Sequence, residues 1–190
     1  MDGRPPLLIG VCGFAGTGKD TVAAFLKEKY GFEQRAFADK IREFAAILNT
    51  SFPLLGETYN QVVERLGYEQ AKRTHPCVRE HLIAIGHGLR TVFHRDILLD
   101  SALPPTGFTA DSPLYLVISD VRNQNEAARI KALGGFVWRI TRPGVAAAHD
   151  TEAASLAAVR SDFTLGNAGT IEELTANVVK LIDLCSPPVQ

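Results

Sequence analysis

The chain has 190 residues and a formal net charge of -1, with 46% hydrophobic and 22% charged residues. That length fits one domain with a sizeable core, and the balance is that of an ordinary globular protein. A near-neutral total supplies no global positive field for nucleic acid or an anionic membrane, so stable binding to either is not expected.

Leu7 to Cys12 is a short apolar run and reads as a buried strand. A glycine-rich loop follows. Then Val22, Phe25, Leu26 and Tyr30 recur at helical spacing, with Gly31 as a stop. Residues 32–38 predict a second strand, and Asp39 a cap for a helix whose Ile41, Phe44, Ala45 and Leu48 share a face. Ser51 to Gly56 reads as a loop. Two helices are expected at about 57–66 and about 77–93, the second weakened by Gly86 and Gly88 at about 1 kcal/mol each. A short helical piece follows around Ile97 to Ala102. Pro104 to Pro113 reads as a turn-rich linker, and Leu114 to Ile118 as a strand ending at Ser119 and Asp120. Asn123 and Glu126 have the look of a capping pair for a helix that stops at Gly134 and Gly135. Phe136 to Thr141 is the next strand. An Ala-rich helix, a short strand near Phe163 and a last helix opened by Thr170 and Glu173 complete the series.

Strands alternating with helices predict a parallel sheet covered on both faces. Residues 39–102, almost wholly helical, read as an insertion over the carboxyl edge of that sheet, where ligands bind in such folds.

Gly13-Phe14-Ala15-Gly16-Thr17-Gly18-Lys19 has the spacing of a phosphate-binding loop. Glycines let backbone amides turn inward around phosphate oxygens, and the next helix presents its positive end to the same anion. Lys19 adds a point charge for the outer phosphates. A nucleoside triphosphate is the ligand this pattern predicts. Asp20 stands where the general motif has serine or threonine to meet magnesium, and the hydroxyl arrives one residue later at Thr21. Asp20 is then either a contact to metal or a first-turn carboxylate favoured by the helix dipole.

The strand ending in Asp120 places a carboxylate where such enzymes hold magnesium, directly or through water. Arg122 follows it, and Arg142 leaves the next strand at Pro143-Gly144. Either can neutralise charge on a transferring phosphoryl group. Arg42, Arg79 and Arg90 in the insertion are candidates for a second anionic substrate, because a guanidinium fork suits phosphate oxygens. His149 and Glu152 stand three residues apart but have no third ligand near, so surface polar residues are the better reading. Trp138 and Phe136 read as sheet core. Cys12, Cys77 and Cys185 lack any Cys-x-x-Cys pair, which indicates a reduced, cytoplasmic setting. Met1 to Pro6 is too short for a signal peptide, and no apolar run reaches membrane-spanning length.

In order along the chain, Gly13 to Thr21 (GFAGTGKDT), Phe37-Ala38-Asp39 with Arg42, and Arg79-Glu80-His81-Leu82 with Ile85-Gly86 resemble the phage-type deoxynucleoside monophosphate kinases. Ser119-Asp120-Val121-Arg122, Asn125-Glu126-Ala127, Val137-Trp138-Arg139-Ile140, Arg142-Pro143-Gly144, Asp162 and Gly169 to Leu174 continue the likeness. A threonine delayed by one residue is also found in kinases of the adenylate kinase type. The resemblance implies a three-layer α/β/α P-loop kinase fold with a parallel sheet, a helical substrate-binding insertion at about 39–102 and a short lid at about 142–160. It implies ATP as phosphoryl donor, magnesium, and a deoxynucleoside monophosphate as acceptor; Asp120, directly or through water, and Thr21 are the candidate oxygens for that magnesium. Gly13 to Thr21 would hold ATP, and Asp39 with the insertion arginines the acceptor. Lys19, Asp120, Arg122 and Arg142 would carry catalysis. A homodimer is compatible with it. The rival readings are another small-molecule kinase, similar to dephospho-coenzyme A kinase, or a nucleotide-dependent switch. Asn123-Gln124 departs from the family pattern of an aromatic and a proline, and so leaves open the loop conformation behind Arg122.

Overall fold

The computed structural model describes residues 6–103, 115–147 and 150–185. The expected linker at 104–113, Leu114 and His149 lie outside the described residues. The chain forms two compact units, one from Met1–Ala36 with Ala102–Gln190, the other from Phe37–Ser101.

The first unit is built on a five-stranded sheet in the order β2-β5-β1-β6-β7. Its strands are β1 (Leu7–Cys12), β2 (Glu33–Arg35), β5 (Tyr115–Val121), β6 (Phe136–Thr141) and β7 (Phe163–Gly166). All neighbours pair in parallel, so their carboxyl ends share one edge. β1 lies in the middle and every residue of it is buried, as an apolar run covered on both faces must be. Leu7, Ile9 and Val11 pack with Val22, Ala23 and Leu26 of α1 (Lys19–Tyr30) and Leu174, Val178 and Ile182 of α9 (Ile171–Cys185). On the alternate positions, Gly10 lies against Ile130 of α7 (Gln124–Ala132), which packs with α8 (Asp150–Ala158). The layers are therefore helix, sheet, helix. Trp138 is fully buried in the same core as Ile9, and each large side chain so buried contributes about 1.5–3 kcal/mol.

Several boundaries depart from expectation. The second strand is three residues long, because Ala36 and Phe37, though buried, leave the sheet where the chain passes into the second unit. β5 runs one residue past the expected end at Asp120, to Val121, with one extra residue of its own opposite Gly10–Cys12. Such a bulge re-aims side chains at a strand end.

The second unit contains α2 (Asp39–Leu48), a small hairpin of β3 (Ser51–Phe52) and β4 (Glu57–Thr58), α3 (Tyr59–Leu66), α4 (Tyr68–Thr74), α5 (Pro76–Val92) and α6 (Ile97–Ala102), of which Ala102 is already in the first unit. The segment expected to be a plain loop at 51–56 is the hairpin, and α4 was not expected. Gly67, at φ 76°, ends α3 and lets α4 begin at once. α3 starts two residues later than expected, where Thr58 and Gln61 form a reciprocal capping box. Asp39 does not cap α2 but lies in its first turn, after Ala38. Of the apolar face expected on α2, Ala45 is buried while Phe44 and Leu48 remain exposed. α5 continues through Gly86 and Gly88, and at Gly86 the close approach of α2 explains the glycine, because a Cβ there would meet Ile41 Cδ1 at 2.9 Å.

Candidate active site

The loop between β1 and α1 is held by its own backbone. Phe14 supplies one carbonyl on which three donors converge: Thr17 N–H at 3.3 Å, Thr17 Oγ1 at 2.9 Å and Lys19 Nζ at 2.7 Å. Thr17, only 1% exposed, is a buried polar residue satisfied by that bond. Gly13, Gly16 and Gly18 have φ of 146°, 82° and 103°. At Gly13 a Cβ would collide with the Ile140 carbonyl, so glycine is required both by conformation and by space. α1 begins directly from Gly18, and no side chain caps its first-turn N–H groups. Those groups, with the positive end of the helix, form a ready seat for an anion.

Burial holds the Lys19 ammonium below the ordinary lysine range, and the nearby Arg122 charge pushes the same way. Asp20, Glu152 and Cys12 partly oppose them. Burial also raises the Cys12 thiol, against the charges of Arg139 and Lys19. A desolvated lysine resting on a carbonyl has more to gain from a polyanion than a solvated one.

Asp120 and Arg122 lie at the carboxyl end of β5, which pairs Val121 with Cys12, the residue before the loop. Arg142 follows β6, the other neighbour of β1, and both arginines are exposed. The loop conformation behind Arg122 is fixed despite the unusual Asn123-Gln124. Glu126 Oε2 accepts the N–H groups of Arg122 (2.7 Å) and Asn123 (3.0 Å), and Gln124 Oε1 accepts the N–H of Arg160 (2.9 Å). Beyond α8, Asp162 accepts from Val137 N–H at 2.8 Å and pairs with Lys131 at 2.7 Å, tying β6 to α7.

In the second unit Arg42 Nη1 donates to Asp39 Oδ1 at 3.1 Å, and its guanidinium lies 4.3 Å from the Tyr68 ring centre. Lys72 Nζ lies 4.6 Å from the same ring. His81 packs against Phe52 and Tyr59 with ring centres 5.7 and 6.1 Å away, and burial lowers its pKa. Arg90 is turned back on its own helix, donating to the Gly86 carbonyl at 3.3 Å, while Arg79 is exposed on α5.

A protein of Acanthamoeba polyphaga mimivirus described as "Putative deoxynucleotide monophosphate kinase" is 32% identical over an alignment of 195 positions, gaps included, that spans 95% of this chain and 98% of the relative. The chain belongs to the deoxynucleotide monophosphate kinase family. No family model matches it. Among solved structures, a shikimate kinase from Aquifex aeolicus vf5 has a TM-score of 0.47 at 13% identity over 93% of this chain and 96% of its own. A dephospho-CoA kinase from Campylobacter jejuni has a TM-score of 0.43 at 17% identity, over 94% and 97%.

Within this deoxynucleotide monophosphate kinase family member, the sheet's carboxyl edge collects Gly13 to Lys19, Asp120, Arg122 and Arg142, while Asp20 and Thr21 sit in the first turn of α1. Asp39 and Arg42 meet each other, whereas Arg79 and Arg90 occupy different environments on α5. Sequence reading missed Asn167, whose Nδ2 donates to the Thr17 carbonyl at 2.9 Å. It also missed Tyr68 as a partner of Arg42. No motif marks either residue, and the 150 positions between Asn167 and Thr17 are bridged only by the fold.

Among the described residues no three His, Cys, Asp or Glu side chains stand together as a metal cage. Magnesium needs none, since it commonly takes one or two protein oxygens and completes its shell with water and phosphate. The half-buried Asp120 carboxylate and the Thr21 hydroxyl are hard oxygen donors of that kind. No described helix is long and apolar enough to cross a membrane.

Proposed function

We propose that this chain transfers the γ-phosphoryl group of ATP to a deoxynucleoside monophosphate and releases ADP and the deoxynucleoside diphosphate. The observation that carries the reading is the nucleotide loop, with its uncapped α1 N-terminus and a desolvated Lys19 within it. The mimivirus relative's name supports the acceptor class.

Gly13, Ala15, Gly16 and Gly18 offer backbone N–H groups to the triphosphate, Thr17 shapes the loop through its bonds to the Phe14 carbonyl, and Lys19 exchanges that carbonyl for phosphate oxygens. Asp20 and Thr21 stand in the first turn behind them. A phosphate oxygen of the acceptor attacks the γ-phosphorus as the bond to ADP breaks. Positioning and charge neutralisation supply the catalysis, and the protein forms no covalent bond. Arg122 and Arg142 neutralise the transferring group from the ends of β5 and β6. Asp120, directly or through water, and Thr21 would hold magnesium, which neutralises and orients the phosphate oxygens when bound. Asp39, Arg42, Arg79 and Arg90 serve the acceptor. Arg42 is the best prepared of the arginines, since Asp39 and Tyr68 hold its guanidinium. Residues from about 142 to 160 act as the lid. The unpaired cysteines support a cytoplasmic setting, and a homodimer is the assembly that light scattering should test.

The deciding experiment is a coupled assay with ATP, magnesium and a panel of deoxynucleoside and ribonucleoside monophosphates plus dephospho-coenzyme A. Turnover is expected with a deoxynucleoside monophosphate and lost in Lys19→Ala. Turnover confined to dephospho-coenzyme A, or full activity in Lys19→Ala, would refute the reading.

A further inference from the structure

We infer that Asn167 is a positioning residue of the nucleotide loop, whose side-chain amide sets the direction of the Thr17–Gly18 peptide. The inference rests on the proposed role of Gly13 to Lys19 as the triphosphate site.

Asn167 follows β7 and is half-buried. Its backbone N–H donates to the Thr141 carbonyl at 2.7 Å, which fixes the residue beside the end of β6. Its Nδ2 then donates to the Thr17 carbonyl at 2.9 Å. A carbonyl cannot donate, so the amide orientation is set by its partner. The same nitrogen would lie 2.5 Å from a Cβ on Gly18, with Leu174 Cδ2 at 3.5 Å. Asn167 therefore occupies the space that a side chain at position 18 would need.

The consequence follows from peptide geometry. In a trans peptide the N–H points opposite to the preceding carbonyl. With the Thr17 carbonyl turned toward Asn167, the Gly18 N–H points away from it. Gly18 tolerates either sign of φ, so nothing in its own conformational preference stops this peptide from flipping. A flipped peptide would exchange the two directions and turn a carbonyl lone pair where an N–H had been, which repels an anion. The other side of Thr17 is already fixed by its hydroxyl on Phe14. The Thr17–Gly18 peptide is thus the joint that Asn167 locks.

Binding of ATP and of inorganic tripolyphosphate should be measured by calorimetry on the full chain, in wild type, Asn167→Ala, Asn167→Asp and Lys19→Ala. Asn167→Ala is expected to weaken both ligands by the same factor, about tenfold, with acceptor KM unchanged and the melting temperature lowered by no more than about 5 °C. Asn167→Asp, similar in size but unable to donate when ionised, should weaken both further. Should Asn167→Ala fail to fold, Asn167→Leu, neutral and similar in size but unable to donate, carries the same comparison. Loss confined to ATP would mean that Asn167 touches the base or sugar, and loss of neither would mean that the peptide needs no lock. Either result overturns the inference. Unimpaired tripolyphosphate binding in Lys19→Ala would instead refute the triphosphate site itself.

Discussion

Glu126 accepts the backbone N–H of Arg122 at 2.7 Å, so the residue that follows β5 is held by the helix that starts two residues later. The same carboxylate takes the Asn123 N–H at 3.0 Å and Asn123 Nδ2 at 2.9 Å, and Glu126 is only 4% exposed. Charge-assisted bonds to a buried acceptor are among the stronger ones in a protein. Glu126→Ala should therefore cost about 2–3 kcal/mol in urea melts and lower kcat by freeing Arg122. Glu126→Gln, which keeps one acceptor oxygen, should cost less. Unchanged stability and kcat in Glu126→Ala would show that Arg122 is fixed by other means.

Lys19 gives a pH prediction. Its folded pKa is lowered from 10.5, chiefly by burial, so the folded protein binds this proton less readily than the unfolded chain does. The stability cost is fully present below the lowered folded pKa. It disappears as pH rises from there to the ordinary lysine value. Lys19→Met should thus melt at or above the wild-type temperature at neutral pH without nucleotide, and its advantage should shrink toward pH 10.5. A wild type that gains nothing relative to Lys19→Met as pH rises would contradict the desolvation account.

Two glycines separate stability from function. A Cβ on Gly13 meets the Ile140 carbonyl, and one on Gly135 meets the Leu8 carbonyl at 2.8 Å. Gly135→Ala should lose about 1–3 kcal/mol while leaving the KM for ATP unchanged. Gly13→Ala adds an unfavourable φ of 146° to its collision, inside the nucleotide loop. It should lose stability and also ATP binding. Equal KM values in the two variants would argue against the loop's role.

Arg139 Nη2 donates to the carbonyls of Leu156 (2.9 Å) and Val159 (2.6 Å), at the carboxyl end of α8. A cation there satisfies orphan carbonyls and complements the helix dipole. Arg139→Met should speed amide exchange over residues 150–160 about tenfold, with the sheet unchanged. Unaltered exchange would mean that α8 is anchored elsewhere.

The parts of the fold written in contiguous residues were legible in the sequence. The nucleotide loop is local, β1 is a solid apolar run, and the Asn123/Glu126 and Thr170/Glu173 pairs announce α7 and α9 within four residues. Features depending on distant partners were not. β3 and β4 have two residues each, too few for a period to emerge, and the hairpin exists because they pair with each other. Asp39 has a capping residue's chemistry, yet α2 begins one residue early and its carboxylate finds Arg42 instead. No local pattern singles out Asn167, and only the fold brings it to Thr17.

The contact between Arg35 and Ala102 bears on how such an enzyme diversifies. Arg35 is the last residue of β2, and its Nη1 donates to the Ala102 carbonyl at 3.0 Å. Between them runs the whole second unit, Phe37–Ser101, as one uninterrupted stretch. Its departure and return points are thereby stapled together on the framework. Because the staple lies wholly within the first unit, replacing that stretch is expected to leave the strand order β2-β5-β1-β6-β7 in place. If the second unit chooses the acceptor, selectivity can be transplanted as a module while the phosphoryl-donor machinery stays constant.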